Sequence, residues 1–163
     1  MSLLRRRAVP GTVKAVRLPP GERRVAWATT ADGEAVVATD RALLLPGGER
    51  LEWPQVERAT WRPPVLTVVA VAEVEGTGAT QALALSEAGD LPAVVRTRVT
   101  ASVAWSTHER LSPRGGVRVV GRRVPDEELL RWQLVYDVGT DRDDPLVRAQ
   151  AEALLEGARR AIG

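Results

Sequence analysis

A run of short strand-like segments and tight turns in residues 36–61 constrains the fold more than any other part of the chain. The run reads VVATDRALLLPGGERLEWPQVERATW. Asp40 can hydrogen-bond the backbone two residues ahead, and the Pro46-Gly47-Gly48 segment suits a chain reversal. The run therefore predicts a strand, a tight turn, a second strand, a hairpin and a third strand.

The flanking segments repeat this pattern of short strands and turns. β-branched residues, which suit a pleated sheet, recur between turn signals such as Asp32-Gly33 and Pro63-Pro64. Seven strands are predicted in this way, at residues 24–29, 34–39, 41–45, 50–53, 58–61, 65–74 and 80–85. Short strands with turns between them are typical of an antiparallel β-barrel or sandwich.

The periodicity of the apolar residues changes after Gly89. Asp90 suits a helix N-cap, and Pro92 is acceptable in a first helical turn. The apolar residues that follow at helical spacing are Leu91, Val94, Val95, Val99 and Val103. We therefore expect a helix over residues 91–103.

A smaller set of elements follows this helix. The predicted strands are at residues 105–111, 117–124 and 129–137. Asp144 and Pro145 suit the N-cap and first position of a terminal helix. The apolar stripe of that helix is expected to consist of Leu146, Ala149, Ala153 and Leu154.

The chain is expected to divide into three regions. Residues 1–20 contain several prolines and show little periodicity, which predicts an extended basic segment with room for a short strand at residues 12–16. Residues 21–105 are expected to form a barrel with its helix. Residues 106–163 are expected to form a β-hairpin and helix extension that packs on the same domain.

Two motifs in the strand region carry a family resemblance. Residues 39–41 read Thr-Asp-Arg at the end of a predicted strand, and residues 51–57 read LEWPQVE. Together with the helix after the seventh strand, they resemble bacterial pleckstrin-homology-like (PH-like) and GRAM-type domains over residues 22–105. The resemblance implies an α+β fold with a strongly bent antiparallel barrel that is capped by a helix at one end.

One departure from that family bears on function. PH domains that bind phosphoinositides resemble one another in a basic first hairpin loop, whereas the predicted first hairpin tip here contains Asp32 and Glu34 and no basic residue. An anionic headgroup would be repelled at this tip. Phosphoinositide binding is therefore not expected, and the resemblance implies nothing about the C-terminal extension.

The composition excludes some chemistry and sets the background for the rest. The 163 residues include no cysteine, so disulfides, thiolate metal sites and cysteine nucleophiles are excluded. All but one of the 23 basic residues are arginine, the exception being Lys14, which is typical of a high-GC bacterial genome. A net charge of +2 is too balanced for a general nucleic-acid binder. With no long apolar run or signal-peptide pattern, the chain is expected to be cytoplasmic.

The chain offers little for catalysis. His108 is the only histidine, and Ser106 would share its face of an alternating strand, but no orienting acid is evident beyond its neighbour Glu109. Asp141, Asp143 and Asp144 lack the glycine at the sixth position of a calcium loop. We therefore expect no enzyme activity, no metal and no cofactor.

Arginine side chains are the candidates for partner contact. The first twenty residues carry five basic groups and no acid, and Arg118 and Arg122 would share one face of a strand. The candidate anion or partner contacts are Arg118, Arg122, Arg131, Arg5, Arg6 and Arg7. The simpler interpretation is that these arginines are only solvated, in an arginine-rich chain.

These patterns predict a binding or scaffolding module that acts through protein–protein contact, with a protein partner or a second copy. One alternative is a small-molecule or lipid pocket in the barrel, because tryptophans that would fill a core could instead line a pocket. The tryptophans concerned are Trp27, Trp53, Trp61, Trp105 and Trp132. A second alternative is nucleic-acid contact through the basic tail or the arginine face, which the balanced charge disfavours.

Overall fold

The computed structural model describes residues 7–72 and 78–162. The chain divides into two compact units, Met1–Val99 and Thr100–Gly163. Each unit contains its own antiparallel sheet and at least one helix, so the α+β class is confirmed. The predicted packing of residues 106–163 on the same domain stays a prediction.

The larger unit is built on a seven-stranded antiparallel sheet. Its strands are β1 (Arg24–Thr30), β2 (Ala35–Thr39), β3 (Ala42–Leu44), β4 (Arg50–Glu52), β5 (Val56–Arg62), β6 (Val65–Ala70) and β7 (Thr80–Glu87). All seven predicted strands are therefore present, and residues 73 and 74 of the sixth predicted strand lie outside the described residues.

The strands form two meanders, β1-β2-β3-β4 and β5-β6-β7, and β1 pairs with β7 to join them. The resulting order is β4-β3-β2-β1-β7-β6-β5, in which β4 and β5 are the end strands. Within the described ranges these two end strands do not pair, so the sheet does not close into a continuous ladder.

Alternate residues of the sheet form a core together with a helix. Leu43, Trp53 and Leu66 are buried on the inner side of the sheet, in one apolar cluster with Leu91 and Val95. These last two belong to α2 (Leu91–Ser102), which confirms the helix predicted at residues 91–103 to within one residue. Burial of each such side chain stabilises the fold by about 1.5–3 kcal/mol.

A buried polar network holds the Thr39-Asp40-Arg41 turn. Glu22 Oε1 accepts hydrogen bonds from Thr39 Oγ1 and, at 2.8 Å, from Arg50 Nη1. Trp53 Nε1 donates to the Thr39 carbonyl oxygen at 3.1 Å. Burial alone would raise the pKa of Glu22, but the hydrogen bonds from Arg50 and Thr39 and the charge of Arg50 outweigh it and lower that pKa.

The N-terminal segment differs from the sequence expectation. Residues 11–14 form a single helical turn, α1 (Gly11–Lys14), where extended backbone or a strand was expected, so that expectation is wrong. Val13 is fully buried, and α1 lies against β1 and β2. The burial of Val13 is a tertiary contact, and the local composition does not predict the helical turn that it stabilises.

The smaller unit is a three-stranded sheet followed by a long helix. Its elements are β8 (Val103–Arg110), β9 (Gly116–Arg123), β10 (Leu130–Tyr136) and α3 (Pro145–Ile162). The order is β10-β9-β8, so β9 is central and β8 and β10 are the end strands. The predicted strands and helix are all present.

No helix in the described parts of the chain is long and apolar enough to span a bilayer.

The helix α3 is capped as expected but packs through a different stripe. Asp144 Oδ1 accepts from the Leu146 N–H at 2.8 Å, which confirms the N-cap. The expected stripe is wrong in its register, because Leu146 is exposed. The apolar cluster of this unit consists of Leu111, Val117, Val147 and Ala151, with Leu134, Tyr136 and Leu154 partly buried against it.

A glycine and two indoles meet across the smaller sheet. Gly121 of β9 pairs with Trp105 of β8 and with Trp132 of β10. The two indole rings are 5.6 Å apart at an interplanar angle of 62°, an edge-to-face contact. A Cβ on Gly121 would lie 3.1 Å from the Trp132 ring, so the missing side chain leaves room for this pair.

Candidate functional site

The predicted contact arginines of the smaller unit, Arg118, Arg122 and Arg131, lie on one face of the β8–β10 sheet. Arg118 pairs across the sheet with His108, and Arg122 pairs with Arg131. Directly paired residues of antiparallel strands point to the same side, and residues two apart on one strand do so as well. We call the side with His108, Arg110, Arg118, Arg122 and Arg131 the arginine face.

Arg122 is not an exposed member of this face. It is only 4% exposed and donates from Nη1 to Ser102 Oγ at 2.7 Å. With the Gln133 amide oriented so that its oxygen meets the guanidinium, that oxygen accepts from Arg122 Nε at 3.0 Å and from Nη2 at 3.2 Å. The expectation that Arg122 lies on an outward surface is therefore wrong. Inside the unit, oxygens of Ser102 and Gln133 accept hydrogen bonds from its guanidinium group.

Arg118, Arg131 and Arg110 do lie at the surface. Arg118 Nη1 is 3.5 Å from Ser106 Oγ, a weak contact. Within the described part of the chain, none of the three arginines forms an ion pair with a carboxylate. The exposed half of the arginine face thus presents guanidinium groups that a carboxylate could still bind.

His108 has an acidic partner that the sequence did not suggest. Its Nε2 lies 2.7 Å from Asp137 Oδ2, and both side chains are partly exposed. Asp137 follows β10, and its N–H donates to the carbonyl oxygen of Gly116 at 2.9 Å. The register of the predicted hairpin, continued by one residue, would have brought Asp137 to this place.

Gly116 makes room for the His108–Asp137 pair. A Cβ there would lie 2.2 Å from Asp137 Oδ2 and 3.0 Å from His108 Nε2. Thr140 also contacts Gly116, because its Oγ1 accepts a hydrogen bond from the Gly116 N–H at 3.1 Å. A side chain at position 116 would therefore clash with the hydrogen-bonded His108–Asp137 pair.

Ser106 and His108, the pair considered for hydrolysis, each contact a different charged side chain. A hydrolytic serine must lie within hydrogen-bond reach of its histidine. Here the Ser106 hydroxyl lies against Arg118, and among the described residues no hydrogen bond joins it to His108. The arrangement offers cationic groups at a surface and one carboxylate beside them.

Of the three N-terminal arginines predicted to contact a partner, the structure describes only Arg7. Arg5 and Arg6 lie outside the described residues. Arg7 donates to Glu87 Oε2 from Nε at 3.1 Å and from Nη2 at 2.9 Å, and from Nη2 to the Glu87 carbonyl oxygen at 2.7 Å. Its guanidinium carbon also lies 3.7 Å from the centroid of the Trp27 ring. Arg7 is therefore bound within its own unit.

The described residues contain no group of three histidine, aspartate or glutamate side chains that could hold a metal ion. Of the three aspartates considered for calcium, Asp144 caps α3.

Comparison of the chain with models of protein families, with curated proteins and with solved structures gives no match.

Proposed function

We propose that this chain is a non-enzymatic protein-binding module. The larger unit would be a PH-like barrel, and the exposed half of the arginine face on the smaller unit would bind an acidic segment of a protein partner. The observation that carries the proposal is the set of exposed arginines without carboxylate partners in the described part of the chain, on one face of a small sheet.

The PH-like assignment is supported by topology. Two antiparallel meanders of four and three strands are joined by the pairing of β1 with β7. They are followed by α2, which buries Leu91, Val95 and Val99 in the core of the sheet. The inner side of the sheet is filled by large side chains such as Leu43 and Trp53. A filled interior favours a function at the surface over a small-molecule or lipid site inside the sheet.

The chemistry of the arginine face favours a carboxylate-bearing partner. Guanidinium groups form paired hydrogen bonds with carboxylates, and such bonds are stronger than those between neutral groups. The edge strand β8 places Arg110 and His108 at the rim of the face and Arg118 next to them on β9. An extended acidic segment along β8 could meet both arginines, beside His108, whose Nε2 already contacts Asp137.

Nucleic acid fits this surface less well. Residues 100–163 contain ten basic and ten acidic residues, so the unit lacks a general positive field. Its tryptophans, Trp105 and Trp132, pair with Gly121 on the opposite side of the sheet from Arg118. Stacking platforms for bases, which proteins that bind single strands use, are thus not on the arginine face.

The test is a charge reversal with a matched control. Fluorescence anisotropy would follow a labelled glutamate-rich peptide as the native chain, Arg118→Glu or Arg123→Glu is titrated in. Arg123 is exposed like Arg118 but points to the other side of the sheet. We expect Arg118→Glu to weaken binding by about tenfold or more, as a charge-assisted contact of about 1.5–3 kcal/mol requires, and Arg123→Glu to bind like the native chain.

Equal weakening by both reversals would indicate only a general charge effect and would contradict the proposed surface. A second arm replaces the peptide by a labelled oligonucleotide of equal charge. Tighter binding of the oligonucleotide, with a steep decrease as salt is raised, would replace the protein partner by nucleic acid.

A further inference from the structure

A slot that holds a guanidinium group lies on the larger unit, between the middle of β1 and the end of β7. We propose that this slot is a recognition site for an arginine side chain supplied by another polypeptide, and that Arg7 occupies it from within the chain. The site lies in a different unit from the arginine face and takes a ligand of opposite charge, so it does not depend on the proposed function.

The slot contacts a guanidinium on its plane and along its edges. Trp27 provides the flat surface, 3.7 Å below the guanidinium carbon. Glu87 provides a carboxylate oxygen for Nε and Nη2 and its own carbonyl oxygen for Nη2. Gly89 borders the third nitrogen, because a Cβ there would lie 2.2 Å from Arg7 Nη1.

These groups select arginine over lysine. A planar, delocalised cation can stack on an indole and at the same time direct two N–H groups at one carboxylate. A lysine ammonium is a compact point charge that has no flat face to place on the ring. A side chain of the same shape without charge would keep the stacking and lose the charge-assisted hydrogen bonds.

The residues that line the slot belong to the sheet and its neighbouring turn. Trp27 is held in β1 by pairing with Val37, and Glu87 is held in β7 by pairing with Thr29. Gly89 has a positive φ of 52°, a backbone conformation that glycine adopts without strain. None of these residues lies in the N-terminal segment that supplies Arg7.

Arg7 can leave the slot at small cost. The N-terminal segment has a second anchor in Val13, which is fully buried. The Arg7 side chain remains 32% exposed and that of Glu87 61% exposed, so solvent reaches the contact. Exposed ion pairs and exposed cation–π contacts are each worth about 1 kcal/mol or less. An arginine presented by another chain can therefore exchange with Arg7.

The test removes the Arg7 side chain from the slot by mutation and then adds a free arginine ligand. The full chain and its Arg7→Ala variant, labelled with ¹⁵N, would be titrated with N-acetyl-arginine amide while the Trp27 indole N–H and the Gly89 amide are followed by NMR. We expect saturable shifts at both positions in Arg7→Ala. At equal ligand concentration the native chain should show smaller shifts than Arg7→Ala, because Arg7 competes for the slot.

Two controls define the contact. Adding Glu87→Gln to Arg7→Ala should weaken ligand binding about tenfold through loss of the charged acceptor. N-acetyl-lysine amide should give no saturable shift at Trp27. A folded Arg7→Ala variant that does not respond to the arginine ligand, or that responds equally to the lysine ligand, would overturn the proposal.

Further outcomes also decide the question. Unfolding of both Arg7→Ala and Arg7→Gln would assign Arg7 a purely structural role and overturn the proposal. If the ligand binds, mixing labelled Arg7→Ala with unlabelled native chain distinguishes the source of the arginine. Shifts of Trp27 in that mixture would support a second copy as the donor, and their absence would support a different protein.

Discussion

At the scale of single residues, Gly116 provides the sharpest test of the smaller unit. Gly116→Ala places a methyl group against Asp137 Oδ2 and His108 Nε2. Either His108 and Asp137 separate or the backbone around Gly116 moves, and we expect a loss of about 1–3 kcal/mol in the free energy of unfolding. Urea denaturation would measure it.

The matched control is Gly157→Ala. Gly157 lies inside α3. Apart from its chain neighbours and the backbone of α3 itself, no described atom lies within 4 Å of the place that an added methyl group would take. This substitution should raise the free energy of unfolding by about 0.5–1 kcal/mol, because alanine is the better helix former. A destabilisation of similar size in both variants would contradict the steric argument for Gly116.

Glu22 sets a pH dependence in the larger unit. Folding lowers its pKa below the ordinary value of 4.5, so the folded state favours the charged form more than the unfolded chain does. The stabilisation is therefore complete above that ordinary value and is lost as the pH falls through the lower, folded-state pKa. Glu22→Gln should lose about 1–3 kcal/mol at neutral pH, as expected when a buried charged partner is removed.

Urea denaturation across the acidic range would test this, and the curves for the native chain and Glu22→Gln should converge at low pH. Asp40 provides the comparison. A hydrogen bond from the Arg23 backbone N–H is the main cause of its lowered pKa, and its carboxylate is far more exposed. Asp40→Asn should change the acid dependence less than Glu22→Gln does. The reverse order would contradict the role of the buried network.

Residue-level contacts were the least predictable part of the candidate site. Alternation correctly placed Arg118 and Arg122 on one face, but it could not show that Arg122 is buried with Ser102 as an acceptor. Neither Asp137 as the partner of His108 nor Glu87 as the partner of Arg7 is near in sequence. Such pairs depend on strand register and chain path, which composition does not determine.

At the scale of elements, α3 shows how a helix can be predicted while its buried face is missed. The expected stripe included Leu146, yet Leu146 is 58% exposed and Val147 is 3% exposed. The helical spacing of Leu146 with Ala149, Ala153 and Leu154 favoured the leucine. The position of the N-cap and the direction from which the sheet approaches determine which neighbour is buried.

The two neighbouring residues make a direct comparison. Val147→Ala should lower the free energy of unfolding by about 1–3 kcal/mol through lost apolar burial. Leu146→Ala should change it by no more than about 0.5 kcal/mol, as for other exposed positions. Thermal unfolding followed by circular dichroism would separate them. A larger effect at Leu146 would mean that Leu146 is the buried residue, as the sequence had predicted.

Strands and long helices were predictable because turn residues and periodicity mark them locally. Asp-Gly, Pro-Gly-Gly and Pro-Pro segments delimit the strands, and Asp144 begins α3. The single-turn helix α1 was not predictable, since burial of Val13 against the sheet stabilises it. Short elements of this kind owe their conformation to tertiary contact.

At the scale of the whole molecule, the class and element order follow from the sequence, but the pairing of β1 with β7 does not. That pairing brings Thr30 beside Leu85 and closes the longest loop of the larger sheet. Local signals report nothing about such distant partners. The division after Val99 is likewise a property of contacts between elements.

The distribution of charge over the chain predicts its behaviour towards membranes. The β1–β2 hairpin carries Asp32 and Glu34 at its exposed tip and no basic residue there. We therefore expect vesicles that contain phosphatidylinositol 4,5-bisphosphate to sediment no more protein than zwitterionic vesicles do. Preferential sedimentation with the phosphoinositide would contradict this expectation.

The edge-to-face contact of Trp105 and Trp132 across Gly121 gives the smaller unit an optical signature. Two indoles 5.6 Å apart and inclined by 62° are close enough for their electronic transitions to couple. Coupled transitions in a chiral arrangement produce circular-dichroism bands of opposite sign, which vanish when the strands that hold the rings separate. The smaller sheet thus carries its own spectroscopic reporter of folding, and no added label is required.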